Sequence, residues 1–269
     1  MSTPEELLDL AVRTARAAGR MLVEDRPAAG PDVVQTKSSP TDVVTQMDRA
    51  AEKLIIERIR AERPDDAFLG EEGGESAGAS GVRWVIDPID GTVNYLYDLP
   101  DWAVSIAAER DGTAVAGAVV LPRRGELFTA TLGGGAFLES AAGRRRLHVN
   151  ADVPLASALV ATGFGYSAAR RAHQARVLTG VVPHVRDIRR GGSACNDLCA
   201  LAAGRVDAYY ERGVQAWDVA AGALIVTEAG GRVEGLNGAP TSPEFAMAAG
   251  PGTFEALHAL LAPLDPAHD

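Results

Sequence analysis

Apolar residues recur at helical spacing near the start of the chain. Leu7, Leu8, Ala11, Val12, Ala15, Ala18, Met21 and Leu22 share one face, which predicts a helix over 4–24. Val33-Val34-Gln35 predicts a short strand, and a polar turn over 37–42 leads into a second helix over 42–60. The period then changes. Short apolar runs predict strands at 67–69, 84–86, 103–108, 114–121 and 126–131, with Asp111-Gly112 as a hairpin signal. Gly, Ala and Ser over 73–81 predict a mobile loop, and Gly133-Gly134-Gly135 and Ala142-Gly143 mark turns. Further on, strands at 159–162, 185–188, 207–211, 232–234 and 245–249 alternate with helices at 168–180, 194–203, 218–229 and 252–261. That alternation favours an α/β layer. A soft boundary at 140–152 divides the chain into halves 1–145 and 146–269, packed as one compact unit.

One stretch of this pattern carries chemistry. Trp84, Val85 and Ile86 read as a buried strand that delivers Asp87 and Asp90 three positions apart, followed at once by Gly91-Thr92. Pro88 holds Asp87 in an extended conformation. Gly91 permits a tight turn, and Thr92 can cap the next turn of chain and leave free amides facing an anion. Two close carboxylates repel unless a cation lies between them, so the turn points to a divalent metal holding a phosphate.

Two other acidic sites join it. Glu71 and Glu72 end the strand at 67–69, and Asp218 heads the helix after Trp217. Hard oxygen ligands at element ends suit Mg²⁺. Taken singly, each has a plain structural alternative: a helix cap for Asp218, a solvated loop for Glu71 and Glu72, an Asx-turn for Asp87 and Asp90.

The net charge of −10 argues against a nucleic-acid partner, and no run of eighteen apolar residues predicts a membrane span. The acidic N-terminus lacks the basic start and apolar core of a signal peptide, so a cytoplasmic location is expected. Cys195 and Cys199, four apart in a helical pattern, read as reduced core thiols.

The run from Trp84 to Tyr95, W-V-I-D-P-I-D-G-T-V-N-Y, closely resembles the inositol monophosphatase signature. The run from Trp217 to Gly231 resembles that family's second signature, Gly70-Glu71-Glu72 matches its acidic pair, and residues 37–42 with Asp48 match its amino-terminal loop. The resemblance implies a layered αβαβα sandwich of the inositol monophosphatase and fructose-1,6-bisphosphatase type. It implies a Mg²⁺-dependent phosphomonoesterase with two or three ions, held by Glu71, Asp87, the Ile89 carbonyl, Asp90 and Asp218. Glu71 and Thr92 would position and deprotonate the attacking water, with Asp42 supporting Thr92, and the Gly91 and Thr92 amides would hold the phosphate. Lithium sensitivity and a homodimer are implied by the same resemblance.

Substrate choice is expected from the second half. Gly192-Ser193-Ala194 resembles a ring-binding loop, and Glu211 occupies the place of an acid that binds a ring hydroxyl. Asp90 and Asp218 would also face the substrate, with Lys37, Glu72 and Arg190 as further candidates. Inositol monophosphate is the expected substrate. Histidinol phosphate, fructose 1,6-bisphosphate, a 3′-phosphoadenosine nucleotide or an aminocyclitol phosphate would use the same chemistry, and a non-catalytic scaffold is the alternative of another class. Arg144-Arg145-Arg146 reads as a solvated hairpin, and Trp102 as core or dimer contact.

Overall fold

The computed structural model describes residues 2–268; Met1 and Asp269, the outer ends of the two expected halves, lie outside the described residues. Helix α1 (Pro4–Glu24) starts at a capping box in which Thr3 and Glu6 satisfy each other's amides. Strands β1 (Val33–Thr36) and β2 (Val43–Thr45) pair antiparallel. The helix expected over 42–60 therefore begins later, as α2 (Gln46–Glu62). The reason is local. Val43, Val44 and Thr45 are β-branched, and the Thr45 hydroxyl accepts from the Met47 and Asp48 amides as the N-cap.

The first large sheet has eight strands. They are β3 (Ala67–Gly70), β4 (Gly74–Ser76), β5 (Val82–Asp90), β6 (Ala103–Arg110), β7 (Thr113–Leu121), β8 (Glu126–Thr131), β9 (Gly135–Ser140) and β10 (Gly143–Arg146), in the order β10-β9-β8-β7-β6-β5-β3-β4. Only β3 and β5 run parallel. The short helix α3 (Thr92–Leu96) follows β5. The stretch expected as a loop over 73–81 contains β4, which pairs back on β3. The turns expected near 133 and 142 bracket β9, which pairs antiparallel with β10 in a hairpin whose three arginines are exposed.

The second sheet comprises β11 (Leu159–Thr162), β12 (Asp187–Arg189), β13 (Ala208–Glu211), β14 (Arg232–Glu234) and β15 (Ala246–Ala249), in the order β12-β11-β13-β15-β14. Its helices are α4 (Ala168–Val181), α5 (Ala194–Ala202), α6 (Ala216–Glu228) and α7 (Pro251–Leu261). Strand β12 starts two residues later than expected, because a 3₁₀ turn at Val182–His184 prolongs α4.

Three cores stack these elements. Leu7, Leu22, Ile55, Trp84 and Ile86 bury α1 and α2 against one face of the eight-stranded sheet. Val85, Phe128, Leu198, Tyr209 and Ile225 fill the middle, where α5 and α6 lie between the sheets. Val160, Val177, Met247 and Leu257 bury α4 and α7 on the outer face. The period-two alternation of β5 sends Trp84 and Ile86 one way and Val85 the other, so this strand is buried on both faces. The architecture is a layered αβαβα sandwich, and its middle core draws residues from both sides of the 140–152 boundary. Trp102 is a core residue, meeting Tyr95 edge-on at 4.9 Å. Among the described residues no helix is long and apolar enough to cross a membrane.

Candidate active site

The end of β5 builds one wall of the site. Its pairing with β6 shifts register between Asp87 and Asp90, across Pro88, which has no amide to give a ladder. Asp87 Oδ1 accepts the Ile89 amide at 3.0 Å, so the Asx-turn exists. It occupies only one of the two carboxylate oxygens. Gly91 then adopts φ +94°, where a Cβ would lie 3.1 Å from the Gly192 carbonyl oxygen. Glycine is needed here for conformation and for space.

Asp218 arrives from the middle layer. It is not the first residue of its helix, because α6 begins at Ala216 with Gln215 as N-cap. Asp218 is the third helical residue, and its Oδ2 accepts the Gln215 amide at 2.6 Å. The Cys195 thiol donates to the Asp218 carbonyl at 3.0 Å and ties α5 to α6. Both cysteines are free and buried.

These elements converge. Carboxylate oxygens of Asp87, Asp90 and Asp218 lie within 4.8 Å of one another. Burial raises the Asp87 carboxyl well above its ordinary range, and the charges of Glu71, Asp90 and Asp218 push it further. Burial also raises Asp218, with Asp90 and Glu71 adding to it. Glu71 shares a hydrogen bond with Asp87 and is pushed up to about 7 by burial, against the opposing charge of Lys37. Lys37 Nζ donates to Glu71 at 3.0 Å and to Glu72 at 2.6 Å. Several buried carboxylates that raise one another's pKa form a donor set suited to a hard divalent cation.

Thr92 sits above this cluster, and its partner corrects one expectation. Its hydroxyl donates to Asp48 Oδ1 at 2.9 Å, with the Ile89 carbonyl at 3.0 Å. Asp42 does not support Thr92; its carboxylate accepts from the amide of Ser38 at 3.0 Å and from that residue's hydroxyl. Asp42 lies in the β1-β2 turn, while Asp48 lies in the first turn of α2, past the Thr45 cap, and projects into the core, 1% exposed.

The second half supplies the opposite wall. Ser193 caps α5 and donates its hydroxyl to Asp90 Oδ2 at 2.6 Å, which also accepts the Cys195 amide at 2.6 Å. Asn94 Nδ2 donates to the Gly191 carbonyl at 2.8 Å and fixes the same loop. Glu211 ends β13 beneath Gly163, accepts from the Tyr209 hydroxyl at 3.1 Å, and is pushed up to about 7 by burial. The Arg190 guanidinium packs against Gly192 and favours the charged form of Glu211.

All of these surfaces face one cavity of about 480 Å³. Lys37, Asp42, Glu71, Asp87, Ile89, Asp90, Gly91, Thr92, Arg190, Gly192, Ser193, Ala194, Glu211 and Asp218 line it. Glu72 does not, being drawn aside to Lys37. The sequence reading missed the contribution of Tyr166 to the lining and the buried acids Glu52 and Asp197. The Asp48 contact had a signal: Thr45 and Asp48 have capping-box spacing at a helix start.

The model of the inositol monophosphatase family matches residues 3–265. The chain belongs to that family. Membership makes it a phosphatase. It is 48% identical over 244 residues to an inositol-1-monophosphatase of Mycobacterium leprae, covering 88% of this chain and 84% of the relative. It is 43% identical over 234 residues to a Pasteurella multocida protein named Nus factor SuhB, covering 86% of each. The solved structure of Mycobacterium tuberculosis SuhB matches it with a TM-score of 0.85 at 42% identity, over all of both chains. Within this family fold, the carboxylate cluster lies at the junction of the two sheets and the helices between them.

Proposed function

We propose that this phosphatase hydrolyses an inositol monophosphate to inositol and phosphate. Two or three Mg²⁺ ions would be held by Glu71, Asp87, the Ile89 carbonyl, Asp90 and Asp218. When bound, such ions offset the carboxylate charge and polarise phosphate and water. Glu71 and Thr92 orient the attacking water on the face of phosphorus opposite the ester oxygen. The Thr92 hydroxyl, hydrogen-bonded to Asp48, gives the water's proton a route to a buried carboxylate. The new P–O bond forms as the ester P–O bond breaks, and the released oxygen is protonated to the free alcohol. The amides of Gly91 and Thr92 face the phosphate. Glu211 and the Gly192-Ser193-Ala194 loop face the alcohol, where a carboxylate accepts from adjacent hydroxyls with strong geometric preference.

The observation that carries this reading is the single cavity joining Asp87, Asp90 and Asp218 to Thr92 on one side and Glu211 on the other. The name borne by the M. leprae relative supports the same substrate. The Nus-factor name belongs to the P. multocida relative, and the intact carboxylate set here favours catalysis over a scaffold role. A homodimer, lithium sensitivity and a cytoplasmic location belong to the same reading. Phosphate release from inositol 1-phosphate, measured with and without Mg²⁺, tests it. A folded protein with no Mg²⁺-dependent turnover would sink it. Preference by kcat/KM for histidinol phosphate, fructose 1,6-bisphosphate, a 3′-phosphoadenosine nucleotide or an aminocyclitol phosphate would reassign the substrate.

A further inference from the structure

We propose that Glu52 is a positioning residue, a buried carboxylate that sets the 70–73 turn and through it the Glu71 side chain at the metal cluster. The proposal rests on the metal assignment given above.

Glu52 lies one helical turn beyond Asp48 on the inward face of α2, and is 4% exposed. Its helix neighbours Met47, Ala51 and Ile55 belong to the first core. An acid here requires partners, because an unpaired buried carboxylate is strongly disfavoured. No ion pair holds it among the described residues. Its partners are amides. Glu72 N–H donates to Oε2 at 2.9 Å, and the Gly73 amide also favours the charged carboxylate.

The glycines on either side record how closely the turn wraps this group. A Cβ at Gly70 would lie 2.5 Å from Glu52 Oε2, and one at Gly73 would lie 2.6 Å from Oε1. Neither residue has a positive φ, so glycine at both places serves space rather than conformation. Glu71 stands between these contacts. It is held at its amide by the Ile86 carbonyl at 3.2 Å, and its side chain meets Asp87 and Lys37. α2 thus supplies two buried acids one turn apart. Asp48 takes the Thr92 hydroxyl, and Glu52 takes the backbone that carries Glu71.

The test measures Mn²⁺ affinity by electron paramagnetic resonance in the parent, E52Q, E52A, G73A and the E52A/G73A double variant. Circular dichroism checks folding, and hydrogen exchange follows the amides of residues 70–73. Outer partners of a metal site are typically worth about ten- to a hundredfold in affinity. E52Q keeps the size of the side chain but loses its charge and one acceptor. It should weaken Mn²⁺ about tenfold and speed exchange of the Glu72 and Gly73 amides. Saturating Mn²⁺ should restore its kcat, and KM for the phosphate ester should stay near the parent value, a split that a general loss of stability would not produce. G73A should weaken Mn²⁺ in the parent, where the new Cβ meets Glu52, and add nothing in the E52A background, where that contact is gone. Parent-like Mn²⁺ affinity in E52Q or E52A overturns the proposal. If those variants do not fold, G73A decides, and parent-like affinity there overturns it equally. A parent protein that binds no Mn²⁺ would instead defeat the metal assignment.

Discussion

Ser193 Oγ donates to Asp90 Oδ2 over 2.6 Å, joining two residues that lie 103 positions apart in the chain. The same oxygen accepts the Cys195 amide, so one carboxylate oxygen of the cluster is committed to the start of α5. The loop proposed to face the alcohol and the turn proposed to face the phosphate are therefore fixed to each other. S193A should lower kcat/KM about tenfold, the scale of one hydrogen bond to a charged group. Steady-state kinetics on inositol 1-phosphate checks this. Parent-like kinetics would mean that the Cys195 amide alone holds Asp90.

The exchange of Asp42 for Asp48 as the partner of Thr92 gives a discriminating pair of variants. Loss of a positioned proton acceptor typically costs about 10²–10⁴-fold in rate. D48N should fall in that range for kcat, as should T92A. D42N should lose far less than D48N, since its carboxylate lines the cavity but accepts from Ser38 rather than from Thr92. Equal losses in D42N and D48N would contradict the assignment.

The mutual repulsion of Asp87, Asp90 and Asp218 predicts a thermal signature. On the proposed metal assignment, Mg²⁺ should raise the melting temperature of the parent with concentration, because an ion held by the folded site alone stabilises the fold. D87N removes one like charge from the cluster. Without metal it should melt at or above the parent temperature, and with Mg²⁺ its shift should be largely lost. Differential scanning fluorimetry in a chelator and in Mg²⁺ reads both effects. A full Mg²⁺ shift in D87N would place the ions elsewhere.

Asp197 predicts a pH dependence of stability. Burial, and secondarily the charge of Glu211, push its carboxyl up to about 8 from an ordinary 3.8. The folded state then holds a proton that the unfolded state has released. The resulting stabilisation is fully present below pH 3.8 and is lost as pH rises through about 8. D197N, which cannot ionise, should flatten the fall in melting temperature between about pH 5 and pH 8.5. Parallel melting curves for parent and D197N across that range would contradict the shift.

Much of this protein is set locally. The face formed by Leu7, Ala11, Ala15 and Leu22 places α1 at Pro4–Glu24, and the run from Trp84 to Thr92 places two acids in one turn, because periodicity and turn chemistry act over a few residues. Glu71 and Asp218 stood out as acids at element ends, and the resemblance of the two long signatures to a family joined them to the same site and added Glu211 in the second half. Contact between distant residues was not legible in the same way. The capping-box spacing of Thr45 and Asp48 marks a helix start, but it does not say whether Asp42 or Asp48 reaches Thr92. The answer depended on where β2 ended and which face of α2 turned inward. Glu52 reads in the sequence as an ordinary polar helix residue, and only the packing of the 70–73 turn onto α2 brings amides to it. Strand β4 was likewise invisible, and the β9-β10 hairpin was legible only through its turn and its exposed arginines, because short or polar strands gain their order from the sheet edge they join rather than from their own pattern. The helices, the buried strands and the acids available for chemistry are written in the chain, since they arise from local preference and hydrophobic period. Which acid meets which partner is written only in the packed molecule, because that pairing is made by backbone segments that meet after the layers have come together.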